Sequence, residues 1–213
     1  MQSDVPLGAF LSGGIDSSII VSQMNQVTSK KFNTFTIGFE DSKFDESQYA
    51  NEVANQLNVN HRCEKISNDI LGFWDEVLNY TEQPHGDVSF IPMFLLSKFA
   101  SERDRVVLTG DGADEIFGGY SKYSLFEDES DFENQFRSTS ELFTFEEINE
   151  LIGNSIDDGP DFLSETIKKD TVLNSDILES NQNKAMYLDT IILLPYNNLI
   201  KPDRMGMAHS VEL

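Results

Sequence analysis

Apolar and polar positions switch between two periods along the first half of the chain, and the switching predicts a repeated strand–helix pattern. Residues 5–11 form an apolar run of strand length, as expected for a strand buried on both faces. Residues 18–27 change to helical spacing through Ile19, Ile20 and Met24. Residues 33–39 (NTFTIGF) return to β-branched and aromatic content, and residues 47–57 place Tyr49, Val53, Ala54 and Leu57 on one helical face. A third strand is predicted over 61–66, helices over 70–80 and 90–100, and a fourth strand over 105–109 (RVVLT). Strands separated by helices of this length imply right-handed βαβ units. The fold class is therefore α/β, a parallel twisted sheet with helices on both faces. Ligands of such sheets bind beyond the carboxyl ends of the strands.

From about residue 121 the pattern changes to helices and polar loops. Amphipathic helices are predicted over 143–152 and 162–168, and a longer, more apolar one over 182–194 stops at Pro195. The expected division is an α/β core over residues 1–120 followed by a mostly helical part over 121–213. No internal repeat or low-complexity linker separates them.

Charge narrows the partners. Fifteen Lys and Arg against 37 Asp and Glu give a formal charge of −22, which argues against binding nucleic acid through a basic surface. Much of the excess lies between Glu127 and Glu179, where only Arg137, Lys168 and Lys169 oppose the carboxylates; solvated acidic helix faces account for it. A chain this acidic repels polyphosphates at long range, so phosphate chemistry would require Mg²⁺ and local cations. The single cysteine, Cys63, excludes an intramolecular disulfide and a cysteine-based zinc cluster. Its place in a short strand predicts a small buried apolar residue. No apolar run reaches the roughly 18–20 residues of a membrane span, and no signal-peptide pattern opens the chain. The expectation is a soluble, cytoplasmic protein with neither a membrane nor a nucleic-acid partner.

Two glycine loops carry the candidate chemistry. Ser12-Gly13-Gly14-Ile15-Asp16-Ser17 joins the first strand to the first helix. Paired glycines permit close backbone approach, the helix N-terminus presents unpaired N–H groups, and Ser12, Ser17 and Ser18 add hydroxyls, so a phosphate-bearing ligand is one reading. The other is an ordinary strand–turn–helix corner with Asp16 or Ser17 as N-cap. Thr109-Gly110-Asp111-Gly112-Ala113-Asp114-Glu115 follows the fourth strand. Its three carboxylates suit Mg²⁺, with Asp16 as an opposing ligand, or cap a short helix from Asp114 as an Asx-rich turn. No G-x-x-x-x-G-K-S/T loop occurs, and no G-x-G-x-x-G opens the first helix, so neither the common kinase and GTPase loop nor a dinucleotide site is supported.

The first loop resembles the pyrophosphate-binding loop (PP-loop) of the N-type ATP pyrophosphatases. More narrowly, the chain resembles the synthetase domain of glutamine-hydrolysing asparagine synthetases, with an adenine nucleotide α-hydrolase-like fold. The resemblance extends through residues 4–11, Phe35-Thr36-Ile37-Gly38-Phe39, Phe44-Asp45-Glu46-Ser47 with Tyr49-Ala50 and His61, and residues 108–115 with Phe117-Gly118-Gly119-Tyr120. It continues in Lys201-Pro202-Asp203-Arg204-Met205 and Met207-Ala208-His209-Ser210-Val211-Glu212. It implies a ligase of amino-acid biosynthesis that joins ATP and aspartate into β-aspartyl-AMP and pyrophosphate, after which ammonia displaces AMP to give asparagine. Carried over by position, Ser12, Gly13, Gly14, Asp16, Ser17 and Ser18 would hold pyrophosphate, Asp16 and Asp114 would bind Mg²⁺, and backbone at Phe10, Ile37 and Gly110 would hold adenosine. Asp111 stands where the family carries the acidic residue of the acyl-adenylate and amine step. Lys201 or Arg204 would steady the phosphate charge, and spacing does not choose between them.

The resemblance further implies ammonia released from glutamine by a separate glutaminase domain, and it is compatible with a homodimer of the full-length enzyme. The glutaminase of the family needs a cysteine at its processed N-terminus; here Gln2 follows Met1 and Cys63 is internal, so glutamine hydrolysis is not encoded. The segment between Tyr120 and Leu194 is shorter than usual, and the pattern stops at Leu213 where relatives continue. The expectation is a synthetase domain that is a fragment of a larger amidotransferase, truncated at its C-terminus. Two rival expectations stand beside it. One is a related amidotransferase or ring-closing synthetase acting on another carboxylic acid; the other is a non-catalytic domain binding ATP or a partner protein. Sulfur transfer to RNA is disfavoured by the lone cysteine and the charge.

Overall fold

A computed structural model describes residues 3–67, 69–83, 85–127, 131–141, 143–153 and 161–213. Met1, Gln2 and parts of the acidic segment lie outside the described residues. In chain order the elements are β1 (Leu7–Phe10), α1 (Ile15–Val27), β2 (Asn33–Phe39), α2 (Ser47–Leu57), β3 (Asn60–Ile66), α3 (Trp74–Thr81), α4 (Phe90–Ser101), β4 (Val106–Leu108), α5 (Ala113–Phe117), α6 (Phe132–Ser140), α7 (Phe145–Ile152), α8 (Phe162–Lys169), α9 (Asn181–Ile191) and α10 (Ile200–Met207). The chain forms two compact units, Met1–Gly112 with Pro195–Leu213, and Ala113–Leu194.

The first unit is built on a four-stranded sheet of order β3-β2-β1-β4, in which every pairing is parallel. Alternation along β1 divides the core. Ala9 and Leu11 face α1 and α2, where they meet Val21, Met24, Ala50 and Ala54. Phe10, Phe35 and Val107 face the other way, against Phe99 and Ala100 of α4 and Val211. Phe35 and Phe99 meet edge to face, with centroids 5.8 Å apart. Beyond α4 lie α3 and α10, packed through Val77, Phe90, Ile91, Phe94 and Met205. Helices thus cover both faces of a parallel sheet, as the alternating pattern predicts.

Several expectations need correction. Residues 195–213, expected with the helical part, pack on the sheet unit because Met205 and Val211 complete its cores. Glu212 also bridges in parallel to Val106. The helix predicted to stop at Pro195 ends at Ile191, and Leu194–Asn198 follows as a π-helical turn. Two helices, α6 and α10, were not expected. In α10 Pro202 falls in the first turn, where a missing N–H costs no intrahelical bond. The 70–80 helix begins as a 3₁₀ segment, Ile70–Phe73. Cys63 is exposed, not buried, because β3 is the edge strand and residues 63–65 are open to water.

The second unit centres on Tyr123, Phe136, Leu173, Ala185 and Leu188. Asp189, 1% exposed, is buried beside them, which would be costly for an unpaired carboxylate. The Tyr123 hydroxyl donates to its Oδ2 at 2.8 Å, and Lys122 Nζ lies 2.7 Å from the same oxygen. Burial, then the Asp189 carboxylate, push the Tyr123 phenol well above its ordinary pKa. Lys122→Met should therefore lower unfolding free energy by roughly 3 kcal/mol, the low end for breaking a buried pair, since Lys122 keeps some access to water. Urea denaturation of the chain measures this, and a loss below about 0.5 kcal/mol, as for an exposed pair, would contradict it.

Candidate active site

The loop after β1 is held by its neighbours on both sides. Leu11 N–H donates to Phe35 O at 3.0 Å, and the Thr36 hydroxyl donates to Leu11 O. Gly13 then turns with φ +86°, and a Cβ there would lie 2.5 Å from Tyr49 Cβ and 2.6 Å from Ala50 N on α2. Both the conformation and the space require glycine. Gly14 is the N-cap of α1, without a side-chain cap. Ser12 and Ser17 do not cap the helix; they lock the loop. Gly14 N–H donates to Ser12 Oγ at 3.1 Å, Ser12 N–H donates to Ser17 Oγ at 3.2 Å, and the two hydroxyl oxygens are 3.0 Å apart. The first-turn N–H groups of residues 15–17 therefore keep the open character of a helix start. In the same turn Ser18 Oγ is buried without a hydrogen-bond partner.

The sheet order explains why a second loop arrives at the same place. From β1 the chain runs outward to β2 and β3, then returns to β4 on the other side of β1. The β1–β4 border is the topological switch point, where the loops diverge and leave a crevice. Here they approach so closely that a Cβ on Gly110 would lie 3.0 Å from Ser17 N and 3.2 Å from Asp16 Cβ. Asp111 N–H donates to Thr109 Oγ1 at 3.3 Å and shapes the turn.

A cleft of about 450 Å³ opens at this border. Its apolar wall includes Phe10, Ile37, Met93 and Leu96, and its polar wall Ser12, Asp16, Ser17, Thr109, Gly110 and Asp111. Glu46 and Ser89 also line it, as does Lys201. Gly13, Gly14 and Ser18 belong to the first loop but are not among the lining residues. Arg204 is not among the lining residues; it donates to Glu82 Oε1 at 2.8 Å. Lys201, by contrast, is anchored at the wall, with Nζ 2.6 Å from Asp87 Oδ2 and 3.0 Å from Ser89 Oγ. Burial acts to raise the Asp87 carboxyl, but hydrogen bonds from Lys201 and Ser89 outweigh it and hold it below the usual carboxylate range. Sequence reasoning missed Asp87, Ser89 and Glu46. The available signal for the first two was the polar break His85-Gly86-Asp87 between two apolar helical runs.

Asp114 belongs to the second unit, in the first turn of α5. A Cβ on Gly119 would collide with its Oδ1, so the chain folds back tightly over it. Glu115 beside it is buried and accepts from the Tyr120 hydroxyl at 2.8 Å.

The cleft joins an open helix start to three carboxylates, Asp16, Glu46 and Asp111. Its cation, Lys201, is already paired. A polyanion entering it would need a divalent cation, and the donor chemistry suits Mg²⁺ held by one or two carboxylates with phosphate oxygens completing the shell. Among the described residues no group of three or more side-chain ligands would hold a metal alone. No helix of the described residues is long and apolar enough to cross a membrane.

The fold and cleft define a parallel α/β domain with two glycine loops at the rim of a crevice between β1 and β4. The chain belongs to the Asparagine synthase family, whose model matches residues 1–213. Among its relatives are asparagine synthetase 1, glutamine-hydrolysing, of Bacillus subtilis, 40% identical over 124 residues, and the glutamine-hydrolysing asparagine synthetase 2 of Oryza sativa subsp. japonica, 33% identical over 150 residues. These alignments cover 58% and 63% of this chain but only 20% and 25% of the relatives. Among solved structures, NMN synthetase from Francisella tularensis aligns with a TM-score of 0.40 and 18% identity, over 98% of this chain and 87% of that one.

Gly13→Ala should destabilise the chain by at least about 2 kcal/mol, combining left-handed strain with a clash against α2. Gly14→Ala should change stability far less, because its Cβ would meet only Ser12 Oγ, at 3.2 Å. Urea denaturation of both variants checks the contrast; equal stabilities would refute this account of the loop.

Proposed function

We propose that the chain carries ATP-dependent amide synthesis, activating the side-chain carboxylate of aspartate as β-aspartyl-AMP for attack by ammonia to give asparagine. The observation that carries this reading is the convergence of two glycine loops at the β1–β4 border, where Gly110 rests on Asp16 and Ser17. The absence of a Walker lysine from the first loop supports a site that holds departing pyrophosphate rather than a transferred terminal phosphate.

In this reading adenosine lies along the apolar wall, with backbone at Phe10, Ile37 and Gly110 as its polar contacts. Residues 12–18 hold the β and γ phosphates. Asp16 and, by family resemblance, Asp114 would hold Mg²⁺, which supplies charge neutralisation on the phosphates. An oxygen of the aspartate side chain attacks the α-phosphorus, the bond to the bridging oxygen breaks, and the helix N–H groups and Lys201 stabilise the charge on pyrophosphate. Ammonia nitrogen then attacks the acyl carbon, AMP leaves, and Asp111 accepts the proton released. Arg204, paired with Glu82, has a supporting position outside the cleft. The ammonia would come from glutamine through a separate glutaminase domain.

ATP–pyrophosphate exchange tests the reading. Exchange should require Mg²⁺ and aspartate, stop on chelation of the metal, and fall about a hundredfold or more in Asp16→Ala. Exchange driven only by a different carboxylic acid would favour a related synthetase. ATP binding without any exchange would favour a non-catalytic domain.

A further inference from the structure

The cation of the cleft is not a free lysine. Lys201 sits in the first turn of α10, and its side chain is 17% exposed. An ammonium has three N–H donors. One is directed to Asp87 Oδ2 at 2.6 Å and a second to Ser89 Oγ at 3.0 Å, so one remains for a ligand. Asp87 is itself fixed, because its Oδ1 accepts from Ser89 N–H at 2.9 Å where α4 begins. The carboxylate thus ties the start of α4 by one oxygen and the lysine of α10 by the other. The bodies of these helices are locked through Phe90, Ile91, Phe94 and Met205. A lysine side chain otherwise carries about 2 kcal/mol of rotamer entropy and spreads its charge over many positions.

We propose that Asp87 is a positioning residue that aims Lys201, with Ser89 as a second tether, so that the remaining N–H faces the phosphates of the bound nucleotide. The proposal rests on the role given to Lys201 under Proposed function. The ion pair is charge-assisted and short, and it holds the ammonium at the wall before the ligand arrives. In this role Asp87 touches no reacting atom, and its effect on the reaction passes through Lys201. Loss of the tether should therefore lower turnover more than nucleotide affinity, because the misplaced charge is needed most when pyrophosphate departs.

A double-mutant cycle on aspartate-dependent ATP–pyrophosphate exchange tests this, using Asp87→Asn, Lys201→Met and the pair. Asn keeps an acceptor for Ser89 N–H but offers no charge to the lysine. Asp87→Ser, which retains a capping oxygen too short to reach Lys201, guards against a folding defect, and urea midpoints verify all variants. Asp87→Asn and Asp87→Ser should each lower kcat about tenfold to a hundredfold, with KM for ATP changed less than threefold. In the Lys201→Met background the Asp87 substitution should cost nothing further. Multiplicative losses in the double variant, or a change confined to KM, would overturn the positioning role, as would normal kcat in both single Asp87 variants beside an inactive Lys201→Met. Normal exchange in Lys201→Met would instead remove the role of Lys201, and the proposal with it.

Discussion

Neighbouring strands of a sheet are about 4.8 Å apart, so two loops leaving β1 and β4 on the same side must either diverge or interpenetrate. Here they do both. The chains separate into helices, but at the point of exit Gly110 comes within contact distance of the α1 backbone at Asp16 and Ser17. A side chain there would push the second loop away and move Asp111 with it. The site depends on this approach, because it places the open start of α1, a carboxylate from each loop and the apolar wall around one cleft. Gly13 plays the matching part on the other side, letting the first loop pass against α2.

Charge then decides what the cleft can accept. Carboxylates outnumber cations both over the whole chain and among the groups lining the cleft, so a nucleotide is repelled unless its charge is met locally. In the proposed reading three local sources would meet it: the α1 dipole, a divalent ion on Asp16, and Lys201. The first is fixed by the fold, and the second would arrive with the substrate. Only the third depends on a flexible side chain, and that side chain is the one tied down by Asp87 and Ser89. An acidic protein that is to hold a polyphosphate, as proposed, needs its few cations placed with little freedom.

The sheet was largely legible because its strands and helices differ in period. Residues 33–39 and 47–57 have the predicted limits, and the two glycine loops fall at carboxyl ends as the alternation requires. What spacing could not show was position within the sheet. Cys63 lies in a strand, but only pairing reveals that the strand is an edge. Pro202 and Gly206 argue against a helix over 200–207 until Pro202 is seen to fall in its first turn. Lys201 and Arg204 are three residues apart and close to one face of that helix, so their different fates, cleft and Glu82, depend on tertiary partners. Asp87 was missed for the same reason, since its partner is 114 positions away. Asp114 stands in the first turn of α5, and its proposed metal role rests on family resemblance.

Whether the first loop grips pyrophosphate, as proposed, can be read from backbone amide shifts of the ¹⁵N-labelled chain recorded while Mg²⁺ and pyrophosphate are added. The largest changes are expected at residues 12–18, with smaller ones at 109–111, and ATP with Mg²⁺ should move the same amides. Unchanged amides at 12–18, with shifts confined to other parts of the chain, would contradict it.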